Sequence, residues 1–271
     1  MSRPRPSELV NGPEVDAVPA HAFRARANAD ARRLAAADWL LRRKRDGRYL
    51  ATVDARGRVQ PLHPQARRHD PGLLDILARL EAGAPDGLLP IGPLQGLLRS
   101  LGVPGDYGPR HGLALVPEPA RLALAGRDRF GRPLFLAHRT AGAWQRLRDA
   151  ARRDGVVLEA ISGFRGHHYQ LGIFRRKLAR GQRVADILAV NAAPGYSEHH
   201  SGRALDIGTP GEPAAEESFE STPAFAWLRH HAGAFGFRLS YPRDNPHGIT
   251  YEPWHWYHVV PDQDVRSASA A

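Results

Sequence analysis

Apolar residues recur at helical spacing over residues 28–45 (NADARRLAAADWLLRRKR), which predicts a helix there with Asn28 or Asp30 as its cap. The alternation in GRYLATVDARGRVQPL predicts a hairpin that turns at Asp54 to Gly57. DPGLLDILARLEAG predicts a second helix, with Asp70 as N-cap, Pro71 at the first helical position and Gly83 at its end. PLQGLLRSLG predicts a short third one. Residues 1–22 have no such period; they are rich in proline and polar groups and read as a flexible arm. Residues 23–125 thus form a mixed helical and hairpin region in which no motif suggests chemistry.

The turn-rich AGRDRFGRP at 125–133 opens a second pattern. LFLAH, VVLEAI at 156–161, GRALDIG, FRLSY and WHWYHVV read as strands. Between them, TAGAWQRLRDAARRDG reads as a helix capped by Thr140 and stopped by Gly155. HHYQLGIFRRKLARG reads as a helix closed by Gly181, and TPAFAWLRHHAGAFG as one with Thr222 as N-cap and Pro223 at N1. Strands and helices do not alternate regularly, so the pattern points to an α+β fold with a small antiparallel sheet flanked by helices. The polar residues 262–271 read as a frayed tail, which bounds the second domain at 126–261.

Composition narrows the chemistry. The chain has 271 residues, 42% of them hydrophobic, enough for a sizeable core. It has no cysteine, which excludes disulfides, thiolate zinc sites and cysteine nucleophiles. The formal net charge is +10, a balance that suits anionic partners. Lys44 and Lys177 are the only lysines, however, and the arginines look like a compositional bias spread over a surface rather than a nucleic-acid platform. No run approaches the ~18 apolar residues of a membrane span. The first 30 residues show no secretory signal, so the expectation is cytoplasmic residence, another export route or a different natural start.

Three stretches carry chemistry. PGYSEHHSGRALDIG (194–208) sets His199 seven positions before Asp206, a histidine and a carboxylate suited to zinc. On one uninterrupted strand the two would face opposite ways, so the chain must bend, and Gly202 is placed to bend it. Alone, this stretch reads equally as a polar loop that carries histidines. YEPWHWYHVV (251–260) sets Glu252 three positions before His255. A glutamate there can take a proton from water and return it to a leaving amine; the plainer reading is an aromatic core strand. SGFRGHHYQ (162–170) presents Arg165 at a strand end, where it can donate to a carboxylate or an oxyanion, or sit at the surface.

Taken together and in this order, the three stretches resemble the zinc D-alanyl-D-alanine carboxypeptidases of the vancomycin-resistance type. That group includes L,D-carboxypeptidases and peptidoglycan endopeptidases. The Ser-x-His-x-x-Gly-x-Ala-x-Asp pattern is complete at Ser197, His199, Gly202, Ala204 and Asp206, and Glu-x-x-His at Glu252 and His255. The resemblance covers residues 126–261 and implies a Hedgehog/D-Ala-D-Ala-peptidase-like fold. It implies Zn2+ held by His199, Asp206 and His255, Glu252 as general base and then acid, and Arg165 on the scissile carbonyl. Gln170 and Ser197 are implied as substrate contacts, and His200 as a neighbour without a role. The implied partner is a D-alanine-containing peptide of peptidoglycan, and the implied location is the cell envelope or periplasm. Phe164, Gly166 and Tyr257 depart from the usual tyrosine, serine and arginine, and all three are expected near bound substrate. A non-catalytic wall-binding module is the competing reading. His230, His231 and His258 are expected to be ordinary surface or core residues, and the loop 242–248 after Tyr241 to border the cleft.

Overall fold

The structure, a computed structural model, describes residues 6–25, 27–63, 71–83, 86–92 and 94–260. It divides into two compact units, Met1–Pro90 with Pro117–Leu124, and Ile91–Val116 with Ala125–Ala271.

The first unit is built on an antiparallel sheet. Its strands are β1 (Glu8–Val10), β2 (Val15–Pro19), β3 (Trp39–Arg43), β4 (Tyr49–Val53), β5 (Val59–Pro61) and β6 (Arg121–Arg127), in the order β5-β4-β3-β2-β1-β6. Helices α1 (Asn28–Ala36) and α2 (Pro71–Ala82) accompany it. Leu73 and Ile76 of α2 pack on Val10, Val15, Ala17 and Leu41 of the sheet. The expected arm at 1–22 is therefore corrected: residues 8–19 are paired strands, and Leu9, Ala17 and Val18 are fully buried. Short runs such as ELV and VDAVP are too brief to show a period, and cross-strand pairing decides them. The expected helix at 28–45 is also cut short. It ends at Ala36 with Ala27, not Asn28 or Asp30, at its N-cap, and WLLRR pairs between β2 and β4. Asp70 lies outside the described residues. Lys44 is no surface charge: its Nζ sits 2.5 Å from Glu118 Oε2, with both side chains buried.

The second unit begins earlier than expected. Helices α3 (Leu94–Ser100) and α4 (Tyr107–Arg110) bring Leu94, Leu98, Val103 and Tyr107 against Phe174, Ile187 and Ala193, so residues 91–116 share a core with the chemistry-bearing segment. There follow β7 (Pro133–Leu136), α5 (His138–Arg153), β8 (Glu159–Ser162), α6 (His167–Ala179) and α7 (Val184–Val190). Then come β9 (Ala204–Gly208), α8 (Pro223–His231), β10 (Phe237–Leu239) and β11 (His255–His258). Strands β8 to β11 form a four-stranded antiparallel sheet in the order β10-β11-β9-β8. The fold class is α+β.

Residues from α5, α8 and this sheet, among them Trp144, Leu147, Leu205, Leu228 and Trp256, form its main core. Thr222 caps α8 through its side chain, which accepts from Phe225 N–H. Thr140 does not cap α5. The helix starts two residues earlier, and the buried Thr140 hydroxyl instead shares a hydrogen bond with His258 Nδ1 at 3.0 Å. The expected tail at 262–271 lies outside the described residues. Among the described residues, no helix is long and apolar enough to cross a membrane.

Candidate metal centre

Three local events aim side chains at one point. After β8 the chain passes beneath β7 at Gly163, where a Cβ would lie 2.7 Å from Leu134 Cδ1 and 2.9 Å from Leu136 Cδ2, so only glycine fits. The next residues present Arg165 before α6 begins. The second event is a 3-10 turn, Glu198–Ser201, closed by Gly202 in the left-handed conformation at φ 68°. The turn supplies the bend that a continuous strand could not, and it sets His199 on the side of Asp206. The third is strand pairing. His255 on β11 is the direct partner of Asp206 on β9.

The result is a set of three donors within 4.8 Å of one another: His199, Asp206 and His255, all buried. Asp206 Oδ1 lies 3.1 Å from His199 Nε2 and 3.1 Å from His255 Nδ1. Each imidazole is anchored by its other nitrogen. His199 Nδ1–H donates to the Gly163 carbonyl at 2.7 Å, and His255 Nε2–H donates to Glu198 Oε2 at 2.9 Å. Burial, and then the charge of Arg165, lower His199 to about 4, so this ring is neutral at pH 7. With its proton committed to Gly163, His199 Nε2 is an acceptor facing another acceptor, Asp206 Oδ1. Such a contact is repulsive by itself and becomes favourable when both share a cation. Two imidazole nitrogens and one carboxylate oxygen, each oriented from behind, suit Zn2+ with a further position left for water.

Arg165 and Glu252 flank this set. Arg165 places an NH 3.3 Å from Asp206 Oδ2, on the carboxylate oxygen the imidazoles do not share. Burial would raise Asp206, but the adjacent imidazoles and the Arg165 guanidinium hold it well below the usual carboxylate range. Glu252 Oε2 lies 3.7 Å from His255 Nδ1. Burial is the chief cause that pushes Glu252 up to about 7, with Asp206 and Glu198 adding and His255 and Arg165 opposing. A carboxyl poised there exchanges a proton readily near neutral pH.

A cavity of about 200 Å3 opens onto the set and is lined by Arg165, Gln170, Ser197, Tyr241, Glu252 and Trp254 beside the three donors. All seven residues singled out in the sequence thus meet in one place. Gln170 donates from Nε2 to the Ala192 carbonyl at 3.1 Å, and its buried Oε1 has no hydrogen-bond partner among the described residues. Phe164, Gly166 and Tyr257 do not line the cavity; Tyr257 lies against the guanidinium groups of Arg203 and Arg238. Tyr241 does border the cavity, its ring 4.7 Å from that of His255, while the loop 242–248 that follows does not line it.

Two residues, the buried His200 and the half-buried Glu198, go beyond the sequence reading. His200 shares the turn with His199 rather than alternating with it on a strand. Its Nδ1–H donates to the Arg165 carbonyl at 2.5 Å and its Nε2 accepts from Gly195 N–H at 3.0 Å, which ties two loops together. Glu198 backs His255. Its position between Ser197 and His199 was the available signal, since an acid beside a buried ligand needs a partner.

Residues 134–261 match the family model for the D-alanyl-D-alanine carboxypeptidase VanY. This segment is similar to the VanY family. All three donors, Glu252, Arg165, Gln170 and Ser197 lie in the matched segment. YodJ of Bacillus subtilis (strain 168) is 35% identical over 130 residues, 46% of each chain. A D-alanyl-D-alanine carboxypeptidase of Enterococcus faecalis (strain ATCC 700802 / V583) is 34% identical over 125 residues, 42% of this chain and 45% of that one. The match thus spans under half the length of these curated relatives. The solved structure of the LdcB LD-carboxypeptidase is 29% identical, over 50% of this chain and 65% of its own, with a TM-score of 0.44.

Proposed function

We propose that this protein is a zinc-dependent carboxypeptidase that hydrolyses a D-alanine-containing amide bond of peptidoglycan stem peptides. The observation that carries the reading is the convergence of His199, Asp206 and His255, beside Glu252, in one cavity of a VanY-family segment. The match to a curated D-alanyl-D-alanine carboxypeptidase supports the substrate class.

His199 Nε2, one Asp206 oxygen and His255 Nδ1 would hold the ion. Zinc bound there supplies a Lewis acid that acidifies water and polarises a carbonyl. Glu252 accepts the proton of the attacking water and returns it to the departing amine. Arg165 donates to the carbonyl oxygen as negative charge develops on it. The neutral His199 stays a ligand through the cycle because its only proton is held by Gly163. Gln170 and Ser197 line the cavity and would supply polar contacts to the peptide.

Mass spectrometry of muropeptides incubated with the protein, with and without a chelator, tests this. Loss of one terminal D-alanine, abolished by the chelator and restored by zinc, is the expected result. Cleavage inside the stem would make the enzyme an endopeptidase, and zinc uptake with no turnover on any fragment would leave a wall-binding module instead.

A further inference from the structure

The chemistry above employs Glu252 and leaves a second, partly buried carboxylate without a task. Glu198 opens the 3-10 turn before β9, with its side chain only 17% exposed. Its Oε2 accepts from His255 Nε2–H at 2.9 Å, and its Oε1 accepts from the Arg238 guanidinium at 3.1 Å. His255 is therefore flanked by two acids. Glu252 approaches Nδ1, on the side of Asp206 and the cavity. Glu198 holds the opposite nitrogen.

An imidazole can bind a metal through either nitrogen, and the hydrogen bond at the other nitrogen decides which. A ring flip at His255 exchanges Nδ1 with Cδ2 and Nε2 with Cε1, so it would turn carbon atoms toward Asp206 and Glu198 and break the direct 2.9 Å contact to the Glu198 carboxylate. We infer that Glu198 is a positioning residue: it keeps the proton of His255 on Nε2, presents Nδ1 to the ion, and makes the ring a stronger ligand. Arg238 steadies the other Glu198 oxygen from β10, which pairs with the strand that carries His255. This inference rests on the metal site proposed above. A carboxylate behind a metal-binding imidazole commonly accounts for 10- to 100-fold in affinity.

Zinc affinity, measured by competition with a chromophoric chelator, separates the possibilities. Glu198→Ala is expected to bind zinc about 10- to 100-fold more weakly than wild type. Glu198→Gln keeps an acceptor but loses the charge, so its affinity falls between the two. Glu81→Gln, at an exposed acid of α2 outside the cavity, serves as the control and binds zinc as wild type does. Wild-type affinity in Glu198→Ala, or a Gln variant no better than the Ala variant, overturns the assignment. A second readout needs no variant. In the zinc-loaded wild type, long-range proton–nitrogen NMR is expected to show His255 protonated at Nε2 and metal-shifted at Nδ1; zinc on Nε2 overturns it. Wild-type protein that takes up no zinc refutes the metal site itself, an outcome distinct from either.

Discussion

His255 stands directly across from Asp206 in the antiparallel pairing of β11 with β9, and its Nδ1 lies 3.1 Å from Asp206 Oδ1. Residues directly opposite in such a pair carry Cβ atoms only ~5 Å apart on the same face. The strand register therefore does most of the assembly, and the turn at 198–202 brings in His199. The core beneath includes Leu205 and Trp256, neighbours of Asp206 and His255 in chain order. A one-residue slip between β9 and β11 would turn one ligand away from the other.

Replacing Glu252 with Gln removes the proton carrier while keeping the shape of the cavity. Hydrolysis is expected to fall ~10²- to 10⁴-fold, and zinc content by elemental analysis to stay at the wild-type level. Full activity in this variant would show that another group moves the proton.

Arg165→Ala is expected to lower kcat by ~10²- to 10³-fold, the scale of losing one donor to a developing oxyanion. Steady-state kinetics on a D-alanyl-D-alanine-terminated peptide checks it. A change confined to KM would place Arg165 on another part of the substrate.

The pH dependence follows from Glu252, which burial raises to about 7 in the metal-free protein. The base works ionised, so activity rises with pH through its ionisation. A bound dication favours the carboxylate, which puts the acid limb of kcat/KM at or below pH ~7. Stability runs the other way. A carboxyl raised on folding binds its proton more tightly in the native state, so the metal-free protein loses stability as pH climbs from the unfolded value toward 7. Glu252→Gln is therefore expected to raise the metal-free Tm at pH 8 and to leave it nearly unchanged at pH 4. Equal effects at both values would contradict the shift.

Gly163→Ala couples packing to the metal. The added methyl meets Leu134 and Leu136 at under 3.0 Å, a clash expected to cost about 1–3 kcal/mol in chemical denaturation. The carbonyl that anchors His199 must move with it, so zinc affinity is expected to drop in the same variant. Unaltered affinity would detach this carbonyl from His199 orientation.

Chelation is expected to abolish activity and lower Tm, and added zinc to restore both, because an ion bound only by the native state stabilises it by mass action. Thermal melts at several zinc concentrations measure this, and a Tm that ignores zinc would argue against native-state binding.

Much of the second unit was legible from local pattern. α5, α6 and α8 have helical spacing with glycine or threonine punctuation, and the family resemblance of the motifs at His199, Asp206, Glu252 and His255 implied three ligands and a proton carrier. The first unit was far less readable. Residues 8–19 look like an arm and WLLRR like the end of a helix, yet both are strands, because pairing with distant strands outweighs a weak local preference. The role of 91–116 was hidden for a similar reason: Leu94 and Tyr107 meet Phe174 and Ile187 only through the fold.

By itself, the chain's order of residues determined which groups are available: two imidazoles, two acids and a guanidinium, with glycines where the backbone must turn. Only the tertiary structure decided which nitrogen of each ring faces inward, that Glu198 stands behind His255, and that His200 braces the Arg165 loop. Those choices depend on contacts between residues dozens of positions apart, and hydrogen-bond geometry at that range has no trace in local spacing.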